Sequence, residues 1–371
     1  KIGNFYAISA PAPLSDDVGT PKGDKRYRRL AFESFVAATV GYSLYYVCRT
    51  SLNVMKKPII DSGFLDAAEL GVIGSALLFA YAIGKAVNGF VCDYCNIKRF
   101  MATGLAVSLT VNLAMGLLGF VDSAVPTAVI FGIFVVLWAI NGWSQSMGSP
   151  PAIISLSRWF PLSRRGTFYG IFSASHNLGE FFSFLFVGNV VLAAGWQWGF
   201  VGSAVAGMLG VVLIVLCLHD TPQSKGLPPI ETIANERHTT TEDTWTIERQ
   251  VLRTPAVWVL AASSAFMYIS RYAINGWGVL YLEEAKGFES GDAVFVISIN
   301  ALLGIFGTVL SGWFSDRLFG GDRRVPALIF GVLNTIALIL FIYGGNAMWV
   351  NMTAMALFGV AMGVLICFLG G

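Results

Sequence analysis

Ten apolar stretches, each close to the length of a bilayer crossing, constrain this chain more than any other feature. They lie at roughly 30–54, 69–91, 100–121, 124–148, 166–191, 196–218, 254–282, 292–314, 325–344 and 347–371. A helix needs about 20 apolar residues to cross the hydrocarbon core, and lipid offers no partner for open backbone groups, so helices are the economical assignment. Composition agrees. Hydrophobic residues make up 55% of the 371 and charged residues 12%, about half the charged share of an ordinary globular domain, and the mean hydropathy is +0.67. The fold class predicted is an all-α, multi-pass membrane protein.

The basic residues predict an orientation. Lys22, Lys25, Arg26, Arg28 and Arg29 precede the first stretch, Lys98 and Arg99 follow the second, and Arg158, Arg164 and Arg165 follow the fourth. Lys225, Arg237, Arg249 and Arg253 follow the sixth, and Arg317, Arg323 and Arg324 follow the eighth. The opposite connections are short or acidic, as at Glu283, Glu284, Glu289 and Asp292. The positive-inside rule therefore predicts a cytoplasmic N-terminus. Residues 1–29 are polar and carry no signal-peptide pattern, so the first stretch is expected to insert the chain. Residues 219–253 form the long polar insert, which divides a six-helix bundle at 30–218 from a second bundle at 254–371 and is expected to tether them. The five cysteines show no disulfide framework. Cys92 and Cys95 have the spacing of half a zinc site, with no second pair and no nearby histidine, so no metal is expected.

The two halves repeat one another. Gly89…Asp93…Lys98-Arg99 lies between the second and third stretches, and Gly312…Asp316-Arg317 lies between the eighth and ninth. Arg49 precedes Gly89 by 40 residues, and Arg271 precedes Gly312 by 41. The loop pattern G-x-x-x-D-(x)n-K/R-R, present twice, resembles the signature of the major facilitator superfamily. That resemblance implies two pseudo-symmetric six-helix halves and twelve helices; the last two are absent from this chain. It also implies that Gly89, Asp93, Arg99, Gly312, Asp316 and Arg317 belong to gating loops.

Five ionisable residues fall inside the stretches: Arg49, Lys85, His176, Glu180 and Arg271. Charge at such positions is rare and by default functional. Three of the five are firmly cationic, and a cavity with two arginines suits a dianion, because guanidinium forks match phosphate oxygens and stay charged when desolvated. The competing readings are snorkelling for Arg49 and Lys85, packing for His176, and interhelical packing for Tyr42, Tyr45, Tyr46, Tyr81 and Trp277. Glu180 follows His176 by four residues, on the same helix face. It is expected to face the bundle interior, either paired with a cation or protonated. No triad, carboxylate dyad or phosphate loop is present, so enzymatic chemistry, a cofactor and nucleic-acid binding are not expected.

At these residues the resemblance narrows. Gly41-Tyr42…Tyr46…Arg49, Tyr81…Lys85, Asn141-Gly-Trp-Ser-Gln145-Ser-Met-Gly148-Ser-Pro-Pro151, Arg165-Gly166, His176-Asn-Leu-Gly179 and Arg271-Tyr…Trp277…Tyr281-Leu282 are similar to the organophosphate:phosphate antiporter family. The likeness runs from about Lys25 to the last residue, and Lys225-Gly-Leu-Pro-Pro229 leans toward its hexose-phosphate branch. It implies that Arg49 and Arg271 clamp the phosphate, with Lys85 and His176 beside it. Tyr42, Tyr46, Tyr81, Gln145, Asn275 and Trp277 are expected to line the cavity. The implied function is exchange of an organic phosphate for inorganic phosphate by alternating access, by a monomer in a bacterial inner membrane, surrounded by lipid. A sensor of the same fold and a facilitator for another organic anion are the alternatives. The family's charge network of Lys, Asp and Glu is replaced by Thr50, Gly276 and about Ala301, and Glu180 stands where the family tends to have glycine.

Overall fold

The computed structural model describes residues 5–120, 126–233, 253–319 and 324–370; the side chains of 231, 312–319 and 369–370 are outside the description. All the regular structure of the described residues is helical. The first unit contains α1 (Pro21–Asp61), α2 (Ala67–Asp93), α3 (Ile97–Leu118), α4 (Thr127–Gln145), α5 (Ser149–Trp159), α6 (Leu162–Ser173), α7 (Ser175–Phe182), α8 (Gly188–Ala194) and α9 (Trp196–Cys217). The second contains α10 (Pro255–Lys286), α11 (Ser290–Phe319), α12 (Arg324–Tyr343) and α13 (Met348–Gly370). By contact the units are Lys1–Ala234 and Asn235–Gly371.

Nine spans among the described residues are long and apolar enough to cross a membrane, α4 with α5 counting as one and α6 to α8 as another. The first stretch, expected as a tenth, is not among them. Its helix, α1, is 41 residues long, and Glu33, the serines and tyrosines around Tyr45, and Arg49, Lys56 and Lys57 dilute its apolar character. At 1.5 Å per residue it is about 60 Å long, twice the hydrocarbon thickness.

The helix boundaries follow local chemistry. Thr20 caps α1 by accepting from the Gly23 amide at 3.3 Å, with Pro21 in the first turn. Asp66 and Glu69 close a reciprocal capping box at the start of α2, at 2.7 and 2.9 Å. α4 and α5 are parted at Ser146–Gly148, just ahead of Pro150 and Pro151, which cannot donate backbone hydrogen bonds. Gly195, at φ 94°, supplies a left-handed turn between α8 and α9 that a side chain would strain.

In the first unit, α9 packs on α1 and α3, α2 packs on α4, and α7 packs on α1. The core holds Trp138, Phe134, Phe200, Met55, Leu70 and Ile73. In the second unit, α11 and α13 meet through small residues. A Cβ added at Gly307, Gly359 or Gly363 would strike the backbone of Val360, Asn300 or Gly304, respectively, the close approach that glycine permits between membrane helices.

Polar bonds tie down one end of the first unit. Asp220, just beyond α9, accepts from Arg158 at 2.7 Å, from the Ile97 amide at 3.1 Å and from the Ser9 amide at 2.7 Å. One carboxylate thereby holds the α5 end, the α3 start and the N-terminal segment. That segment is also bonded by Ala12 to Gln223 and by Ser15 to Gly226, each at 2.9 Å.

Candidate functional site

Tyr42, Tyr46 and Arg49 follow one another at spacings of four and three along α1, which puts them on one face. Arg49 is 6% exposed. Its guanidinium carbon lies 3.9 Å from the centre of the Tyr81 ring on α2 and 5.4 Å from that of Tyr46, within the range of cation–π attraction. The arginine is thus turned inward against aromatic faces, which does not fit snorkelling. Lys85, one turn beyond Tyr81, has its ammonium 5.6 Å from the same ring and donates to Ser149 Oγ at 2.5 Å. His176 is buried on α7, its ring 5.8 Å from Tyr46. Tyr42 stacks on Phe172 at 5.3 Å and meets Tyr46 edge-on at 5.4 Å. The first unit therefore gathers Arg49, Lys85, His176 and the three tyrosines into one cluster.

Gly179 makes part of that cluster possible. A Cβ there would strike the Ser43 carbonyl and lie 2.6 Å from Tyr46 Cβ, so α7 presses directly on α1. Glu180, the next residue, is 2% exposed. Residues Ser183–Val187 then form a π-helical turn, a device often found near functional sites. Nothing in the local sequence announces it.

In the second unit Arg271 is 3% exposed. Asn275, one turn later on α10, accepts from Asn300 Nδ2 at 3.1 Å. Its own Nδ2 is buried with no hydrogen-bond partner among the described residues. A buried donor left open costs about 1–3 kcal/mol, so an unfilled donor four residues from a buried arginine marks a place for an acceptor. Trp277 is partly exposed on the same helix.

Two groups of expected site residues are placed differently from their reading. Gln145 donates to Ser108 Oγ at 2.7 Å and lies 3.5 Å from Asn141 Oδ1. It belongs to a buried polar lattice in which Ser51 bonds Asn112 at 2.8 Å and Asn141 reaches the Cys48 carbonyl at 3.2 Å. The expected gating loops are largely helical: Gly89 and Asp93 lie in the last turns of α2, and Gly312, Asp316 and Arg317 lie in the last turns of α11. The side chains of those last three are outside the described residues. Arg99 donates to the Phe5 carbonyl at 2.7 Å.

Hydropathy also missed buried charge at helix ends, because α1 and α10 outrun their apolar stretches. Lys56, Glu283 and Lys286 are all buried. Lys286 donates to the Phe341 carbonyl, to the Gly345 carbonyl at 3.0 Å and to Asn351 Oδ1 at 2.8 Å, pinning α10 to the α12–α13 turn.

Over residues 38–370 the sequence matches the family described as Major Facilitator Superfamily. The chain belongs to that superfamily. Among curated members it is 35% identical over 356 residues to the "Probable hexose phosphate transport protein" of Chlamydia pneumoniae, covering 90% of this chain and 76% of the relative. It is 35% identical over 331 residues to the glycerol-3-phosphate transporter of Bacillus subtilis, covering 86% and 72%. It is 33% identical over 349 residues to the membrane sensor protein UhpC of Salmonella typhimurium, covering 90% and 75%. Among solved structures, a bacterial homologue of the human lysosomal transporter Spinster superposes with a TM-score of 0.67 at 17% identity, over 91% of this chain and 75% of that one. The D-xylose–proton symporter follows at 0.61 and 14%, over 90% and 80%. These two share the fold. A superfamily member with this helical content is an integral, multi-pass membrane transporter and not an enzyme.

Proposed function

We propose that this transporter exchanges an organic phosphate, of the hexose-6-phosphate or glycerol-3-phosphate class, for inorganic phosphate. The observation that carries the proposal is the buried Arg49, its guanidinium carbon 3.9 Å from the centre of the Tyr81 ring, with the Lys85 ammonium near the same ring. A guanidinium presents its five N–H donors as a planar fork, and a phosphate accepts two such bonds side by side. Arg271, buried in the second unit four residues before the open donor of Asn275, is proposed as a phosphate ligand as well. The names of the curated relatives support the substrate class. Alternating access would let each phosphate take the same cations in turn, so one anion is released as another enters. The decisive experiment is counterflow in proteoliposomes loaded with inorganic phosphate. External glucose-6-phosphate or glycerol-3-phosphate is expected to drive labelled phosphate out, and vesicles that retain it with either ester would refute exchange. Binding of the ester without flux would favour the sensor reading, which the likeness to UhpC supports.

The orientation proposed is an inner-membrane protein with a cytoplasmic N-terminus. Single cysteines at Thr239 and Ala285 test it. An impermeant thiol reagent added to intact cells is expected to label the Ala285 site and spare the Thr239 site, and the reverse pattern would invert the topology.

Glu180 is proposed as the coupling acid. It is buried on α7 four residues after His176, where a carboxylate would resist an incoming phosphate and assist its release. Glu180→Gln is expected to tighten phosphate binding while slowing counterflow. Unchanged affinity and rate between pH 5.5 and 8, a window about the phosphate and histidine pKa values, would leave Glu180 a packing residue.

A further inference from the structure

A cavity of about 590 Å³ lies in the first unit where α3 begins and α9 ends. It is separate from the arginine cluster. Lys98 and Arg99 at the start of α3 and Lys225 beyond α9 line it, and Ala102 and Ala106 further along α3, with Val211 and Val215 on α9, give it an apolar floor. Val215 is 45% exposed, and its neighbours Val212 and Leu216 are exposed as well, so the apolar floor runs out onto the outer surface of α9.

The charge in this cavity is unbalanced. Asp220 also lines it, but that carboxylate is engaged by Arg158 and by the Ile97 and Ser9 amides. Arg99 gives one nitrogen to the Phe5 carbonyl and keeps other donors of its five. His219, a further lining residue, has Nε2 3.2 Å from Glu33 Oε2. Its Nδ1 is buried with no hydrogen-bond partner among the described residues. Burial, and repulsion from Lys225 and Lys98, hold the imidazole below its usual pKa against the opposing pull of Glu33. A neutral ring that donates from Nε2 to the carboxylate leaves Nδ1 as an acceptor.

We infer that this cavity is a binding site for an anionic phospholipid of the leaflet next to the N-terminal segment, with its phosphate among Lys98, Arg99 and Lys225 and an acyl chain along Ala106, Val211 and Val215. Three features select a lipid over a free anion. The cations stand over an apolar floor, the floor is continuous with the lipid-facing surface, and the cavity lies at the ends of two membrane helices, where basic pockets take lipid headgroups. A headgroup hydroxyl, as in phosphatidylglycerol, would give the His219 Nδ1 lone pair a donor. The site also touches the N-terminal segment through Phe5, Ser9 and Ala10, so an occupying lipid would brace that segment against α3.

The test uses the full chain, delipidated in a neutral detergent, with thermal unfolding as the readout. Dioleoylphosphatidylglycerol is expected to raise the midpoint by about 5 °C more than dioleoylphosphatidylcholine, a typical effect for a ligand well above its Kd. The triple substitution Lys98→Gln, Arg99→Gln and Lys225→Gln should erase the difference. Ala106→Trp keeps every charge but fills the floor; it should erase the difference too, and it decides the matter if the triple variant does not fold. Equal shifts by the two lipids, or a phosphatidylglycerol effect that survives Ala106→Trp, overturn the inference. So does inorganic phosphate alone reproducing the shift, since that would make the cavity a free-anion site.

Discussion

Replacing Arg49 or Arg271 by lysine is expected to weaken phosphate binding by at least about 30-fold, the lower end of what losing one partner of a buried, hydrogen-bonded charge pair costs. Lysine keeps the charge. It loses the planar fork, and at position 49 it also loses the guanidinium whose carbon sits 3.9 Å from the centre of the Tyr81 ring. Its shorter, single-nitrogen head would carry a strong hydration shell into a site built for a weakly hydrated plane. Equilibrium binding of labelled phosphate to the purified variants gives the number, and counterflow gives the consequence. Tyr81→Leu is the companion variant, since it removes the ring and leaves the guanidinium intact. It should fall between wild type and Arg49→Lys. Near wild-type phosphate affinity in either arginine variant would remove the proposed clamp.

The other large effect expected is on stability. Gly363→Val should lower the unfolding midpoint more than any polar substitution in the second unit. Even the first added carbon at Gly363 would meet the Gly304 carbonyl and sit 2.8 Å from the Thr308 nitrogen. Those are backbone atoms of α11 and cannot rotate aside, so the two helices would have to separate. Overpacking of ordinary side chains costs about 1–3 kcal/mol, and a backbone obstruction belongs at the top of that range. Gly331→Ala is the control, because its added carbon meets nothing within 4 Å. Thermal unfolding in detergent separates the two. Equal midpoints for Gly363→Val and Gly331→Ala would mean that α11 and α13 are not in close backbone contact.

The main cations could be read from sequence because the signal is simple. A guanidinium inside an apolar run stands out against its neighbours, and both Arg49 and Arg271 proved to be buried. The superfamily itself could be read from the repeated Gly…Asp pattern. What escaped has a common cause, since hydropathy measures where an apolar run stops and not where its helix stops. α1 continues to Asp61 and α10 to Lys286, so Lys56, Glu283 and Lys286 lie beyond the apolar runs and yet inside the helices. Uncharged polar groups escaped for another reason. Ser51, Ser108, Asn112 and Asn141 satisfy one another across α1, α3 and α4, and which amide meets which hydroxyl depends on helix packing that no single stretch encodes. Gln145 looked like a cavity residue for the same reason.

The π-helical turn at Ser183–Val187 sets a phase along the fifth crossing. An α-helix advances about 100° per residue, and a π turn takes up an additional residue without a matching advance. Residues on its two sides therefore do not follow one continuous stripe. His176 and Glu180 are buried ahead of the turn, while Val187 and Val191 join the hydrophobic core at and beyond it. Loss of one residue here would let the turn close to plain α-helix and keep the bearing of the two parts, whereas the same loss elsewhere in the crossing would swing one part by about 100° against the other. At this point in the chain, length can change by one residue without a change of bearing.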